Sequence, residues 1–167
     1  MNRSLIAAIG ALGALAGNVA AETITVVGVG DPSVDVPAVQ AAVDQGGRVV
    51  LMGHFSFDAP PTVAEPSSLL LSGTAGMVLV SKAVAISGAL DDQGEMTTIE
   101  GGTNPFYVEA PGAHVAIQGL HFIHPKAIAI RVVAASGLVI ASNQIEGVVP
   151  DTKFYKQTCP FFGSTSF

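Results

Sequence analysis

The chain has 167 residues, of which 49% are hydrophobic and only 12% charged, with 19 Gly, 10 Pro, one Cys and no Trp. Charged residues make up about a quarter of an ordinary globular domain, so a disordered polyelectrolyte is excluded, and the length suits one domain. The formal charge of −6 argues against a nucleic-acid groove, which needs clustered Lys and Arg, and the lone Cys excludes a disulfide framework or a multi-Cys metal centre.

Residues 1–21 (MNRSLIAAIGALGALAGNVAA) read as a secretory signal peptide. Arg3 supplies a positive start, Leu5 to Ala16 an apolar stretch, and Val19-Ala20-Ala21 the small residues that precede a cleavage site before Glu22. The stretch is short and Gly-interrupted for a membrane span, which needs about 20 apolar residues. Cleavage would leave 146 residues with a formal charge of −7. No later segment reads as a span. The expected address is therefore export, to the periplasm or the extracellular space, with no integral membrane segment after cleavage.

Glu22–Gly30 is β-branched and weakly alternating, as a strand requires. Asp35 to Asp44 follows with Val36, Val39 and Val43 on one helical stripe. This pattern predicts a helix with Asp35 as its N-cap, Pro37 in its first turn and Gly46 or Gly47 as its stop. Beyond it lie short β-rich runs separated by Gly, Pro, Ser and Asp: Arg48–Met52, Phe55–Phe57, Ser68–Leu71, Met77–Val80, Val84–Ile86, Thr97–Glu100, Phe106–Val108, Val115–Ile117, His121–Ile123, Ala127–Val133, Leu138–Ile140 and Gln144–Glu146.

These runs repeat. Val84-Ala85-Ile86-Ser87-Gly88 matches Val115-Ala116-Ile117-Gln118-Gly119, and a third copy follows at an offset of 23, with Leu138 on Val115, Ile140 on Ile117, Ser142 on Gly119 and Ile145 on Phe122. A period of this length with two or three short strands is the pattern of stacked coils. It predicts Ile86, Ile117 and Ile140 one above another, about 4.8 Å apart. It also predicts tight corners at Gly88, Gly119 and Ser142, with Asn143 bonded to a neighbouring backbone.

Three stretches carry a resemblance to a known family: Asp35 to Leu51, where a helix runs into Gly-Gly and a first strand, His114-Val-Ala-Ile-Gln-Gly-Leu-His-Phe122, and Leu138-Val-Ile-Ala-Ser-Asn-Gln-Ile145. Together they resemble the N-terminal part of the pectate-lyase-like superfamily. The resemblance covers about Ile24 to Val149 and implies an all-β fold, a right-handed parallel β-helix with a short N-terminal capping helix. The implied organisation is a signal peptide over 1–21, an incomplete β-helix domain over 22–150 and an atypical tail over 151–167.

The tail (DTKFYKQTCPFFGSTSF) breaks the composition, holding five of the ten aromatics, two of the four Lys and Cys159. Family members usually carry more coils, which favours a truncated or frame-shifted product over a cap formed by Phe154, Tyr155, Phe161 and Phe162. Cys159 reads as incidental, with pairing between molecules as the alternative.

Candidate chemistry is sparse. Asp91 and Asp92, with Glu95, form the densest acidic cluster, and the resemblance implies Ca²⁺ or paired-carboxylate roles for such groups. The plainer reading is a solvated turn, since Asp-Asp-Gln-Gly is good turn chemistry. His121, His124, Lys126 and Arg131 form a basic cluster in which a lyase base could sit; the plainer reading is a polar corner. His54 and His114 lack recognisable partners, and Glu100 and Glu109 read as solvated strand ends. The Asn-Thr-Asp and Gly-His-Gly signatures of polygalacturonases have no counterpart, nor has the Trp-containing motif of pectate lyases. Asp91, Asp92, His121, His124, Lys126 and Arg131 thus stand as substrate-binding candidates, with no catalytic or metal residue assigned and no cofactor beyond the implied Ca²⁺. The expectation is an exported, non-catalytic domain that binds polysaccharide or a cell-surface partner. The alternative is the N-terminal remnant of a polysaccharide lyase or glycoside hydrolase.

Overall fold

The computed structural model describes residues 22–58 and 76–147. The expected signal peptide, the run Ser68–Leu71 and the aromatic tail with Cys159 lie outside the described residues. Strand β1 (Thr23–Val27) leads into helix α1 (Pro32–Gln45), followed by β2 (Gly47–Met52) and β3 (His54–Ser56). Then come β4 (Val78–Val80), β5 (Val84–Gly88), β6 (Thr97–Glu100), β7 (Phe106–Gln118), β8 (Leu120–Ile123), β9 (Ile130–Ala141) and β10 (Gln144–Glu146).

The strands form two parallel sheets. One has six strands in the order β1-β2-β5-β7-β4, with β9 also paired to β7; the other has four in the order β10-β8-β6-β3. The inner faces of both, together with α1, line one hydrophobic core. The expectation of an all-β right-handed parallel β-helix is corrected by this arrangement. Two parallel sheets and a 14-residue helix form a mixed α/β structure, and the helix places Val39, Ala42 and Val43 in the core itself. The strands are not uniformly short either. The runs predicted at Phe106–Val108 and Val115–Ile117 merge into the 13-residue β7, and those around Ile130 and Leu138 into the 12-residue β9. Pairing between these two continues past the intervening Pro and Gly through two register shifts, because a bulge absorbs the extra residues without ending the ladder.

The helix also starts earlier than its pattern suggests. Asp31 is the N-cap, its carboxylate accepting from the Ser33 N–H at 2.9 Å and the Ser33 hydroxyl at 2.7 Å. These bonds, the hydroxyl foremost, hold the Asp31 carboxyl below the usual carboxylate range. Pro32 occupies the first helical position, where a missing N–H is harmless. Asp35 is no cap. It is buried, with Oδ1 accepting from Val29 N–H at 2.9 Å and Oδ2 from Gly30 N–H at 3.0 Å and Ser56 N–H at 2.8 Å. One carboxylate thus ties the end of β1, the helix and β3 together. A buried carboxylate is tolerated only when hydrogen-bonded in this way.

The register lines up core rows across strands. Val49, Ile86, Ile117 and Ile140 are successive partners on β2, β5, β7 and β9. Phe55, Ile99, Phe122 and Ile145 are partners on β3, β6, β8 and β10. Phe106 packs between Phe57 and Phe122, with ring centroids 6.1 Å from each and the Phe122 ring edge-on. The corners are close. A Cβ at Gly88 would overlap the Gly119 carbonyl oxygen, and Ser142 takes a left-handed conformation with φ 55°. Asn143 spans the last corner, Oδ1 accepting from Leu120 N–H at 3.0 Å and Nδ2 donating to the Ile117 carbonyl at 2.9 Å.

Candidate binding face

Side chains on a strand alternate between faces, so each strand of the four-stranded sheet sends one set inward and one outward. Phe55, Ile99 and Phe122 go inward and are fully buried. His54 and Ser56 of β3, Thr98 and Glu100 of β6, His121 and Ile123 of β8, and Gln144 and Glu146 of β10 form the outward set. Register fixes two outward rows: His54, Thr98, His121, Gln144, and beside it Ser56, Glu100, Ile123, Glu146. Each row crosses three strand spacings, about 14 Å.

The same diagonal contact occurs twice between these rows. His54 Nε2 lies 3.2 Å from Glu100 Oε2, and His121 Nε2 lies 3.3 Å from Glu146 Oε2. In each pair the Glu sits on the next strand, two residues beyond the histidine's register partner. Both glutamates are well exposed, and His54 is half-exposed. Exposed pairs of this kind add little stability, a median of about 0–1 kcal/mol. Their effect is orientation. A neutral imidazole donating from Nε2 to the carboxylate keeps Nδ1 as an acceptor, and the carboxylate keeps its remaining lone pairs. With Ser56, Thr98 and Gln144 the face offers donors and acceptors at regular strand intervals.

Of the six substrate-binding candidates, only His121 is on this face. His124 turns the corner after β8 with φ 50°, its N–H donating to the Glu146 carbonyl at 2.8 Å, so it positions β10 next to the face. Lys126 is ion-paired with Asp58, and Arg131 stacks on Tyr107 with its guanidinium carbon 5.6 Å from the ring centroid. The four basic residues therefore do not converge. Asp91 closes its own turn, Oδ1 accepting from the Gln93 and Glu95 N–H groups, each at 2.8 Å, below the Leu90–Met96 bridge. Asp92 is exposed beside it. Among the described residues no three His, Cys, Asp or Glu side chains are grouped as a metal site, and the family-implied Ca²⁺ finds no ligand set there.

The sequence reading leaves His54 without a partner, takes Glu100 as a solvated strand end and passes over Glu146; the structure pairs His54 with Glu100 and His121 with Glu146. A signal for Glu146 was available: the offset of 23 sets His121 on Gln144 and so puts Glu146 one outward position away. The His54–Glu100 pair had no such signal, because β3 and β6 are joined through an irregular interval. On the opposite side of the molecule, β2, β5, β7 and β9 border an open groove of about 590 Å³, floored by Ala85, Ala116 and Val139, with His114 over Gly137. That groove is mainly apolar, His114 apart, and lacks the paired polar groups of the four-stranded face. No helix among the described residues is long and apolar enough to cross a membrane. Comparison of the chain with family models, curated proteins and solved structures returns no match.

Proposed function

We propose that this is an exported, non-catalytic binding domain that takes a hydroxyl-rich polysaccharide along the outer face of the four-stranded sheet. One observation carries the reading: the repeated His–Glu diagonal, His54 with Glu100 and His121 with Glu146, set in two registered rows that are polar except for Ile123. A periodic ligand matches this face, since the same His–Glu contact recurs two strand spacings apart. The net negative charge favours a neutral polymer over an acidic one. Export rests on the signal-peptide pattern of residues 1–21.

Binding of the purified chain to a panel of neutral and acidic polysaccharides, followed by calorimetry with and without Ca²⁺, tests this reading. The double variant His54→Ala, His121→Ala is expected to lose at least tenfold in affinity with only a small fall in melting temperature, since His54 is half-exposed and His121, though mostly covered, is outside the hydrophobic core. Equal affinity of the variant would remove the face from consideration. Reproducible turnover of any of the polymers would overturn the non-catalytic reading.

A further inference from the structure

The two His–Glu contacts on the four-stranded sheet are separated by a gap. The strands run in the order β3-β6-β8-β10. One contact joins β3 to β6 through His54 and Glu100, and the other joins β8 to β10 through His121 and Glu146. The same diagonal between β6 and β8 runs from Thr98 to Ile123, where no carboxylate is present. The face therefore reads pair, gap, pair, and it repeats every second strand. Two strand spacings are about 9.4–9.8 Å. Each glutamate bonded to its imidazole keeps free acceptor sites, enough for two neighbouring hydroxyls.

We propose that the ligand is a neutral, extended β-1,4-linked glycan lying across the four strands, an inference that rests on the reading of this face as a polysaccharide site. In such a chain both linkage bonds of each sugar are equatorial, so the backbone runs straight, and each sugar is turned over relative to the one before. One sugar advances about as far as one strand spacing, so the same hydroxyl edge returns to the same side after about 9.4–9.8 Å. The chain then meets a His–Glu pair, next Thr98 and Ile123, and then a His–Glu pair again. Ile123 suits the sugar between the pairs, since its side chain offers an apolar surface to ring C–H groups. An α-1,4 chain coils and a β-1,3 chain winds, so neither sets equivalent hydroxyls against both pairs of one row. Neutrality follows from charge: Glu100 and Glu146 line the face of a chain whose formal charge is −6, and both repel a uronate. The row of three strand spacings, about 14 Å, takes about three or four sugars. A chain that engages both pairs gains over one that engages a single pair, because the second contact is made within the complex.

Calorimetry with oligomers that differ only in linkage tests this. The purified chain is titrated with β-1,4, β-1,3 and α-1,4 glucose oligomers of two to six sugars, and with the β-1,4 mannose series. A β-1,4 tetramer is expected to bind at least tenfold more tightly than the other linkages at equal length. Its affinity should rise steeply from dimer to tetramer and level off beyond. His54→Ala and His121→Ala, each alone, are expected to abolish that rise with length, which a merely structural effect would not do selectively. Ile123→Ser should weaken the tetramer a few-fold and leave the dimer unchanged. Equal affinity for all linkages, lost in the double histidine variant, would overturn the β-1,4 assignment and leave the face as a glycan site. So would binding confined to an acidic polymer and lost in the same variant. Binding that the double variant leaves intact would overturn both the assignment and the face, as would the absence of binding to every oligomer and polymer tried.

Discussion

The two ends of the core are built differently. At one end α1 lies against β1, β2, β3 and β4 and contributes Val39, Ala42 and Val43, while Asp35 binds three backbone N–H groups from two neighbouring segments. At the other end β9 and β10 present half-exposed Leu138, Ile140 and Ile145, with Asn143 as the polar tie between the last corner and β7–β8. The first end is closed by a helix formed early in the chain, and its polar tie is buried. At the second, no strand or helix among the described residues lies beyond β9 and β10. A row of in-register apolar residues therefore has the same sequence pattern at its centre and at its end. Burial is decided by the neighbour beyond the row.

The largest effect is expected at the closed end. Asp35→Ala removes the acceptor of three N–H groups at once, and each unsatisfied buried group costs about 1–3 kcal/mol. A loss of roughly 3 kcal/mol or more in urea unfolding is expected, and a loss below about 1 kcal/mol would show that water replaces the carboxylate. The central row comes next. Ile117→Ala is expected to cost about 2–5 kcal/mol. Ile140→Ala, in the same row but half-exposed, is expected to cost about 1 kcal/mol from its contacts to β7. Equal costs at both positions would erase the contrast between centre and end.

Asn143→Ala is expected to cost about 1 kcal/mol, because the Leu120 N–H and the Ile117 carbonyl lose their partner at a partly solvated corner. Hydrogen exchange should rise first at Leu120 and along β10, which checks that the loss is local. The smallest effect belongs to Asp31. Its folded-state pKa is lowered by the Ser33 hydroxyl and N–H, so its contribution is present above the unfolded carboxylate pKa and is lost as pH falls through the folded value. A slight acid-side decline in thermal midpoint is expected, and Asp31→Asn should flatten it. An unchanged profile in that variant would separate the cap from acid stability.

Local pattern carried far in some places and not in others. The alignment of Ile86, Ile117 and Ile140 follows from a repeat of apolar-x-apolar-x-small, and the parallel register reproduces it residue for residue. Asn143 was legible for the same reason, since its place after a corner leaves its amide facing neighbouring backbone. Asp35 was misread because a carboxylate ahead of an apolar stripe has the form of a helix cap, whereas its actual partners, Val29, Gly30 and Ser56, converge only when β1 and β3 meet the helix. The basic cluster His121, His124, Lys126 and Arg131 was proximity in sequence alone: β8, a turn and β9 send the four side chains to different partners.

Local pattern suffices for the strand-rich composition after one early helix, the apolar rows and their offset, and the corners that need small residues. These are properties of period and local sterics, which short stretches of chain carry alone. Long-range packing sets the rest: the division of the strands into two parallel sheets with the helix in the core, the unbroken run of β7 and β9 through their bulges, and the meeting of His54 with Glu100 and His121 with Glu146. Those outcomes depend on which strands become neighbours across loops of unequal length, and that choice is made by burial of the whole core.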